Sequence, residues 1–327
     1  MKKFLWAIPI VLIGAYLLGP KPNYPSYDGT LQPLNVALSK LDEYVVQKEL
    51  KIDAIPENKS KIVWNNGVEK TPYSIVYLHG FSASPYEAEP LHRDFAKRYG
   101  ANLYLHRIAR HGIKDRELFK ELTPKEMVDS AKEALAIGQL LGEKVIVMST
   151  STGSTLAMYL SALNPEAIHA HIMYSPNFDL YDANSKLAMK PWGLNLLKQL
   201  IGEYRSPKFP PAAKPYWTDE YRIEGLLALI YMVNETMTDE NFKKIKVPYF
   251  IGYYYKNEEE QDKIISTKRI QEFNELTQTP ESQKRLMPFP NVNAHVVCSP
   301  FMSQDLETVR KETFKFAEEI LNLNVVQ

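Results

Sequence analysis

The chain predicts an α/β fold built on a mainly parallel central sheet. Short apolar runs of buried-strand type occur at Ser74 to Leu78, Asn102 to Leu105 and Val145 to Met148, and helical patterns separate them. That alternation is the pattern of βαβ units, whose parallel strands are covered on both faces. In such sheets reactive loops lie beyond the carboxyl ends of the strands. The segments to inspect therefore follow Leu78, Met148, Tyr174 and Tyr255.

Met1-Lys2-Lys3 is positive, and Phe4 to Gly19 then runs without a charge. As a helix, that stretch spans roughly 24 Å, short of a ~30 Å hydrocarbon core. It reads as a cleaved signal peptide or an uncleaved membrane anchor, residues 1–19, without a clear Ala-x-Ala cleavage site. The lysines would stay on the cytoplasmic side. The expected location is therefore exported: periplasmic, or membrane-anchored and facing outward. Residues 20–33 carry Pro20, Pro22, Pro25, Gly29 and Pro33 and predict an extended linker. Leu34, Leu38, Leu41 and Val45 recur at helical spacing. Lys61 to Trp64 predicts a strand, followed by the Asn66-Gly67 turn signal. A helix is expected near Asp94 to Tyr99. Thr123-Pro124-Lys125-Glu126 is a capping box with Pro at the first helical position, opening a helix that should stop at Gly142. Ala167 to Tyr174, Tyr249 to Tyr255 and Lys284 to Phe289 are further strand candidates. A last helix places Leu306, Val309, Phe316 and Ile320 on one face.

Composition narrows the function classes. In 327 residues, 45% are hydrophobic and 24% charged, which excludes a disordered chain. Lys+Arg and Asp+Glu each number 39, so no whole-chain basic field argues for nucleic acid. A single cysteine, Cys298, excludes an internal disulfide and a multi-cysteine metal site. Cys298 reads as a small buried residue.

After the strand ending near Met148 comes Ser149-Thr150-Ser151-Thr152-Gly153, followed by the helix-like run Ser154 to Leu163. This is the strand–turn–helix setting of a nucleophile elbow, G-x-S-x-G, with Ser149 in place of the first glycine. The flanking positions must be small because the backbone turns tightly there. Upstream, His79-Gly80-Phe81-Ser82-Ala83-Ser84 directly follows the first apolar run. Its Phe81 amide and the Thr152 amide could form a pair of backbone donors for an oxyanion, as acyl transfer requires.

Together with a late histidine after a final strand, these residues resemble the α/β-hydrolase superfamily. Within it they resemble the esterase, lipase and carboxylesterase-like branch that carries H-G-F after its first parallel core strand. The resemblance covers about residues 60 to 325. It implies an eight-stranded, mostly parallel sheet with flanking helices and a helical cap after the sixth strand. It also implies a Ser–acid–His triad in that chain order. Ser151 would be the nucleophile. Of the seven histidines, His92, His106 and His111 precede the elbow, His79 sits in the oxyanion turn, and His169 and His171 fall in a strand. His295 is left as the base. The acid should follow Tyr249 to Tyr255. Asp262, in Asp262-Lys263-Ile264-Ile265, resembles the family's D-x-V-V segment and is favoured over Glu258, Glu259 and Glu260. The expected divisions are 34–176 and 247–327 for the core and 177–246 for the cap. The cap's apolar Leu194, Leu197, Leu200, Leu226, Leu229 and Met232 would pack on the core or around an apolar substrate group. The expected activity is hydrolysis of a small-molecule carboxylic ester through an acyl-enzyme, without metal or organic cofactor. Amidase, peptidase or thioesterase chemistry with the same triad stays open, as does a catalytically silent binding protein.

Overall fold

The computed structural model describes residues 14–326. The signal-peptide or anchor reading falls largely on residues 1–13, outside that range. Among the described residues, no helix is long and apolar enough to cross a membrane.

Among the described residues, nine strands form two sheets. They are β1 (Lys61–Val63), β2 (Thr71–Leu78), β3 (Asn102–His106), β4 (Gly142–Thr150), β5 (Ala170–Tyr174), β6 (Tyr204–Arg205), β7 (Tyr221–Arg222), β8 (Tyr249–Tyr253) and β9 (Lys284–Pro288). The helices are α1 (Leu41–Glu49), α2 (Leu91–Arg98), α3 (Pro124–Leu141), α4 (Thr152–Leu163), α5 (Gly193–Ile201), α6 (Ile223–Thr236), α7 (Asp239–Phe242), α8 (Thr267–Leu276) and α9 (Leu306–Glu319). The main sheet runs β1-β3-β2-β4-β5-β8-β9. Every neighbouring pair is parallel except β1 with β3. The sheet therefore has seven strands, not the eight that the resemblance implies, and the long insert follows the fifth strand rather than the sixth. The Asn66-Gly67 signal does not close a hairpin, because β1 pairs with β3 and not with β2.

The strands read as continuous apolar runs because both faces are covered. Along β2, Val76 and Leu78 point into one core with α3, α4, α6 and α8, where Met127, Leu135, Leu156, Leu160, Met232 and Phe273 pack. Ile75 and Tyr77 point into the other, with Phe95 of α2 and Phe316 of α9. The capping box forms as expected: Glu126 N donates to Thr123 Oγ1 at 3.2 Å and Thr123 N to Glu126 Oε2 at 3.0 Å. The helix stops at Gly142 as expected, and Gly142, at φ −147°, begins β4. Glycine is needed there because a Cβ would lie 2.3 Å from Ser74 N across the sheet.

The 177–246 insert contains α5, the β6–β7 antiparallel pair, α6 and α7. On α6, Leu229, Met232 and Val233 pack into the core, while Leu227 and Ile230 are buried against Ala188, Leu194 and Leu197 of the insert itself. On α5, by contrast, Leu196, Leu200 and Ile201 are exposed. Residues 20–33 run extended, but they are packed down. Leu31 N donates to Asn164 Oδ1, Asn164 Nδ2 to Gly29 O, and the Tyr24 ring meets Tyr231 edge-on at 5.1 Å. The prolines keep the segment out of helix, while its aromatic residues give it a surface to lie on.

Candidate active site

Ser151 sits between the end of β4 and the first residue of α4 with φ 49° and ψ −112°. Positive φ on a non-glycine residue costs about 1–3 kcal/mol and persists only where surrounding bonds impose it. Here they do. Ser151 N donates to Tyr174 O at 3.0 Å, and Ser151 O accepts from Ser154 N, Thr155 N and Asn177 N at 3.0–3.2 Å. Gly153 permits the close crossing, because a Cβ there would come within 2.0 Å of Leu78 O. Serine at 149 is accommodated by a bond between its hydroxyl and that of Ser154 at 2.9 Å.

The turn after β2 is fixed from both sides. Ile108 N donates to His79 Nε2 at 3.0 Å, which leaves Nδ1 to carry the proton and donate to Gly80 O at 2.8 Å. Burial, reinforced by His111, holds the His79 pKa well below the usual imidazole value, so the ring stays neutral. Gly80 N donates to Glu87 Oε1 at 2.6 Å. The Phe81 and Thr152 amides donate to no group among the described residues. They flank Ser151, because the α4 N-terminus and the Gly80 turn meet there: a Cβ built on Gly80 would lie 3.5 Å from Ser151 Cβ. The Phe81 ring turns away toward Phe119 and Tyr221, at 5.0 and 5.5 Å.

Asp262 and His295 are paired. His295 Nδ1 and Asp262 Oδ2 are 2.6 Å apart, and a carboxylate only accepts, so the proton lies on Nδ1. The other oxygen, Asp262 Oδ1, accepts from Ile264 N and Ile265 N at 2.9 and 3.3 Å. This is why the acid is followed by anchored apolar residues: Ile265 is buried and its amide holds the carboxylate. The Asp262 side chain is 1% exposed and that of His295 14%. Burial pulls the His295 pKa down. The Asp262 charge, its hydrogen bond and the charge of Glu87 outweigh that, and the net shift is upward. Glu258 and Glu260 instead bond Tyr255 and Lys256 in an exposed loop.

A bonded chain joins the three loops, and the sequence offered no sign of it. Tyr77 Oη donates to Glu87 Oε1 at 2.9 Å. Thr150, beside Ser151, bonds Tyr77 Oη at 2.8 Å, and Cys298, beyond His295, bonds Thr150 Oγ1 at 3.3 Å. Cys298 is buried as expected, and burial pushes its thiol well above the usual range. Glu87 is fully buried. Burial raises its carboxyl to about 7 against the lowering effect of its bonds to Gly80 and Tyr77. A lone acid in a Ser-Pro-Tyr-Glu turn carries no motif, which is why only the fold reveals it. A cavity of about 330 Å³, lined by Lys48, Glu49, His106, Arg107 and Ser130 among others, includes none of the predicted site residues.

No family model and no curated protein matches the chain. Solved structures do. A structure of the metagenome-derived lipolytic enzymes LipS and LipT is similar with a TM-score of 0.65 at 14% identity, over 80% of this chain and 98% of that one. A monoacylglycerol lipase of Paleococcus ferrophilus gives 0.55 at 14%, over 79% and 96%. Est1E of Butyrivibrio proteoclasticus with ferulic acid gives 0.53 at 17%, over 81% and 95%. At these identities the likeness is one of fold. Sheet order, the positive-φ serine between β4 and α4, and the neighbouring structures agree that the chain has the α/β-hydrolase fold.

Proposed function

We propose that the protein is a serine hydrolase that cleaves carboxylic esters through an acyl-enzyme. The observation that carries this reading is the His295–Asp262 pair, 2.6 Å apart with Asp262 buried and His295 half-buried, at the sheet end where Ser151 is held in a strained elbow. In this mechanism Ser151 attacks the ester carbonyl. Neutral His295 accepts the hydroxyl proton at Nε2, because Asp262 holds the other proton on Nδ1. Negative charge develops on the carbonyl oxygen, and the Phe81 and Thr152 amides donate to it. The imidazolium then protonates the leaving alcohol, and water activated by His295 releases the acid. Lipolytic and esterase activities named for the structural neighbours support an ester substrate. The 177–246 insert is proposed as the cap, since Thr218 N donates to Ser82 O at 2.7 Å and so seats the insert on the oxyanion turn.

The test is turnover of an ester, a thioester and an amide sharing one acyl group, across pH. The ester is expected to react fastest. His295 must be neutral to act, so kcat/KM should hold at high pH and fall as pH drops through its pKa. With that pKa raised, the acid limb should lie above the ordinary imidazole value. A chain that turns over no ester in a broad panel yet retains ligand would be a binding protein instead.

Export through residues 4–19 and association with a membrane are proposed on the sequence. One contact and one exposed face fit this reading. Trp192 Nε1 donates to Ala15 O, which places the N-terminal segment beside α5, and α5 exposes Leu196, Leu200 and Ile201. Flotation of the full chain with phosphatidylcholine–phosphatidylglycerol vesicles should recover it in the lipid fraction. Recovery only in the aqueous fraction would rule membrane association out.

A further inference from the structure

The Gly80 turn, the elbow and the His295 loop come from distant parts of the chain, yet their relative placement decides whether the proposed hydrolysis can occur. Packing alone fixes such loops loosely, so what ties them together matters. Glu87 stands at the junction. Its Oε1 accepts both Gly80 N at 2.6 Å and Tyr77 Oη at 2.9 Å. With that Tyr77 proton committed to Glu87, Thr150 donates to Tyr77 Oη and Cys298 donates to Thr150. The chain of donors therefore runs from the His295 loop, past the residue before Ser151, to the acid that holds the oxyanion turn. Its last acceptor is Glu87 Oε1, which takes both donors, and that fixes the direction of the bonds leading to it. Glu87 Oε2 is buried without a partner. It adjoins the site, for a Cβ built on Gly80 would lie 3.3 Å from it and 3.5 Å from Ser151 Cβ.

We infer that Glu87 is a positioning residue for the proposed hydrolysis: its carboxylate aims the Phe81 amide by holding Gly80 N–H, and its charge supports the imidazolium of His295. The inference rests on the Ser151–His295–Asp262 reading. Leaving an orphaned carboxylate oxygen in a fully buried position costs stability, which a purely structural contact would not require. Tyr77 of β2 bonds Glu87, the charge of His295 acts on it and its own charge acts on Cys298 of the last loop, and His92 of α2 lies against the Tyr77 ring at 4.9 Å. Burial keeps His92 neutral at about 3. His295 is thus the cation that Glu87 serves. Burial raises the Glu87 carboxyl to about 7, so the charge that supports His295 is present above that pH and is lost as pH falls through it.

The experiment compares Glu87→Gln and Glu87→Ala in the full chain. Circular dichroism and urea unfolding normalise for folded protein, and fluorophosphonate labelling reports the nucleophile. Gln keeps an acceptor for Gly80 N–H and Tyr77 and removes only the charge. Its kcat should fall about 10-fold with KM nearly unchanged, and its acid limb should move to lower pH as His295 loses a stabilising anion. Ala loses the tether as well, and its kcat should fall about 10²-fold, the scale of losing one oxyanion donor. If Glu87→Ala does not fold, Glu87→Gln with Tyr77→Phe carries the test. Tyr77→Phe should lower kcat while leaving the acid limb where it was. A Glu87→Gln variant with wild-type kcat and wild-type acid limb overturns the inference, whatever Ala does. A wild-type chain that is neither labelled nor active overturns the underlying reading instead, and the two failures are distinct.

Discussion

Replacing Ser151 by Ala is expected to abolish ester turnover and covalent labelling by a fluorophosphonate together. The loss should be about 10⁴-fold or more in kcat, because without the hydroxyl no acyl-enzyme forms and only binding and the oxyanion amides remain. Fold and stability should be nearly untouched. The Ser151 backbone, not its side chain, makes the bonds to Tyr174, Ser154, Thr155 and Asn177. Alanine also tolerates the strained backbone no worse than serine does. Active-site titration alongside urea unfolding checks both halves. Labelling that persisted at full stoichiometry in the variant would place the nucleophile elsewhere.

Asp262→Asn is the second large effect. The side chain is isosteric, but an amide can present N–H toward His295 Nδ1, and the ring then settles with its proton on Nε2, facing the wrong way to act as a base. The charge that supports the imidazolium also disappears. Together these should lower kcat by roughly 10³–10⁴-fold, with KM changed far less. The acid limb of any residual activity should move to lower pH, since the Asp262 charge and hydrogen bond are what raise His295. Glu258→Gln and Glu260→Gln, in the exposed loop just before Asp262, are expected to leave kcat unchanged. A variant at either glutamate that lost activity like Asp262→Asn would transfer the role of the acid.

Much of this site was legible because its residues stand beside strong local signals. Ser151 follows an apolar strand and opens a helix, and Gly80 interrupts the chain directly after β2. His295 and Asp262 were reachable by chain order once the resemblance supplied that order. Asp262 was distinguished from its neighbours by Ile264 and Ile265, and their amides are the groups that bind its carboxylate. Glu87 was illegible for the opposite reason. Its partners are Gly80, Tyr77 and, through them, Thr150 and Cys298, and nothing in its own turn marks it. The fate of α6 was only half legible as well: its apolar residues required burial, but whether on core or substrate depended on what the fold placed against them.

By itself, then, the sequence determined the strands of the main sheet, the elbow and the parallel character of the sheet, because each rests on apolar periodicity and turn chemistry that act within a few residues; the β6–β7 pair in the insert it did not mark. Only the tertiary structure decided that β1 joins the edge beside β3, that the sheet closes at seven strands, that residues 20–33 lie packed on α4 and α6, and that Glu87 ties the three site loops. Those outcomes are contacts between segments tens to hundreds of residues apart. Their energies come from burial and from hydrogen bonds completed across the fold, and a local pattern carries no record of which distant partner will complete them.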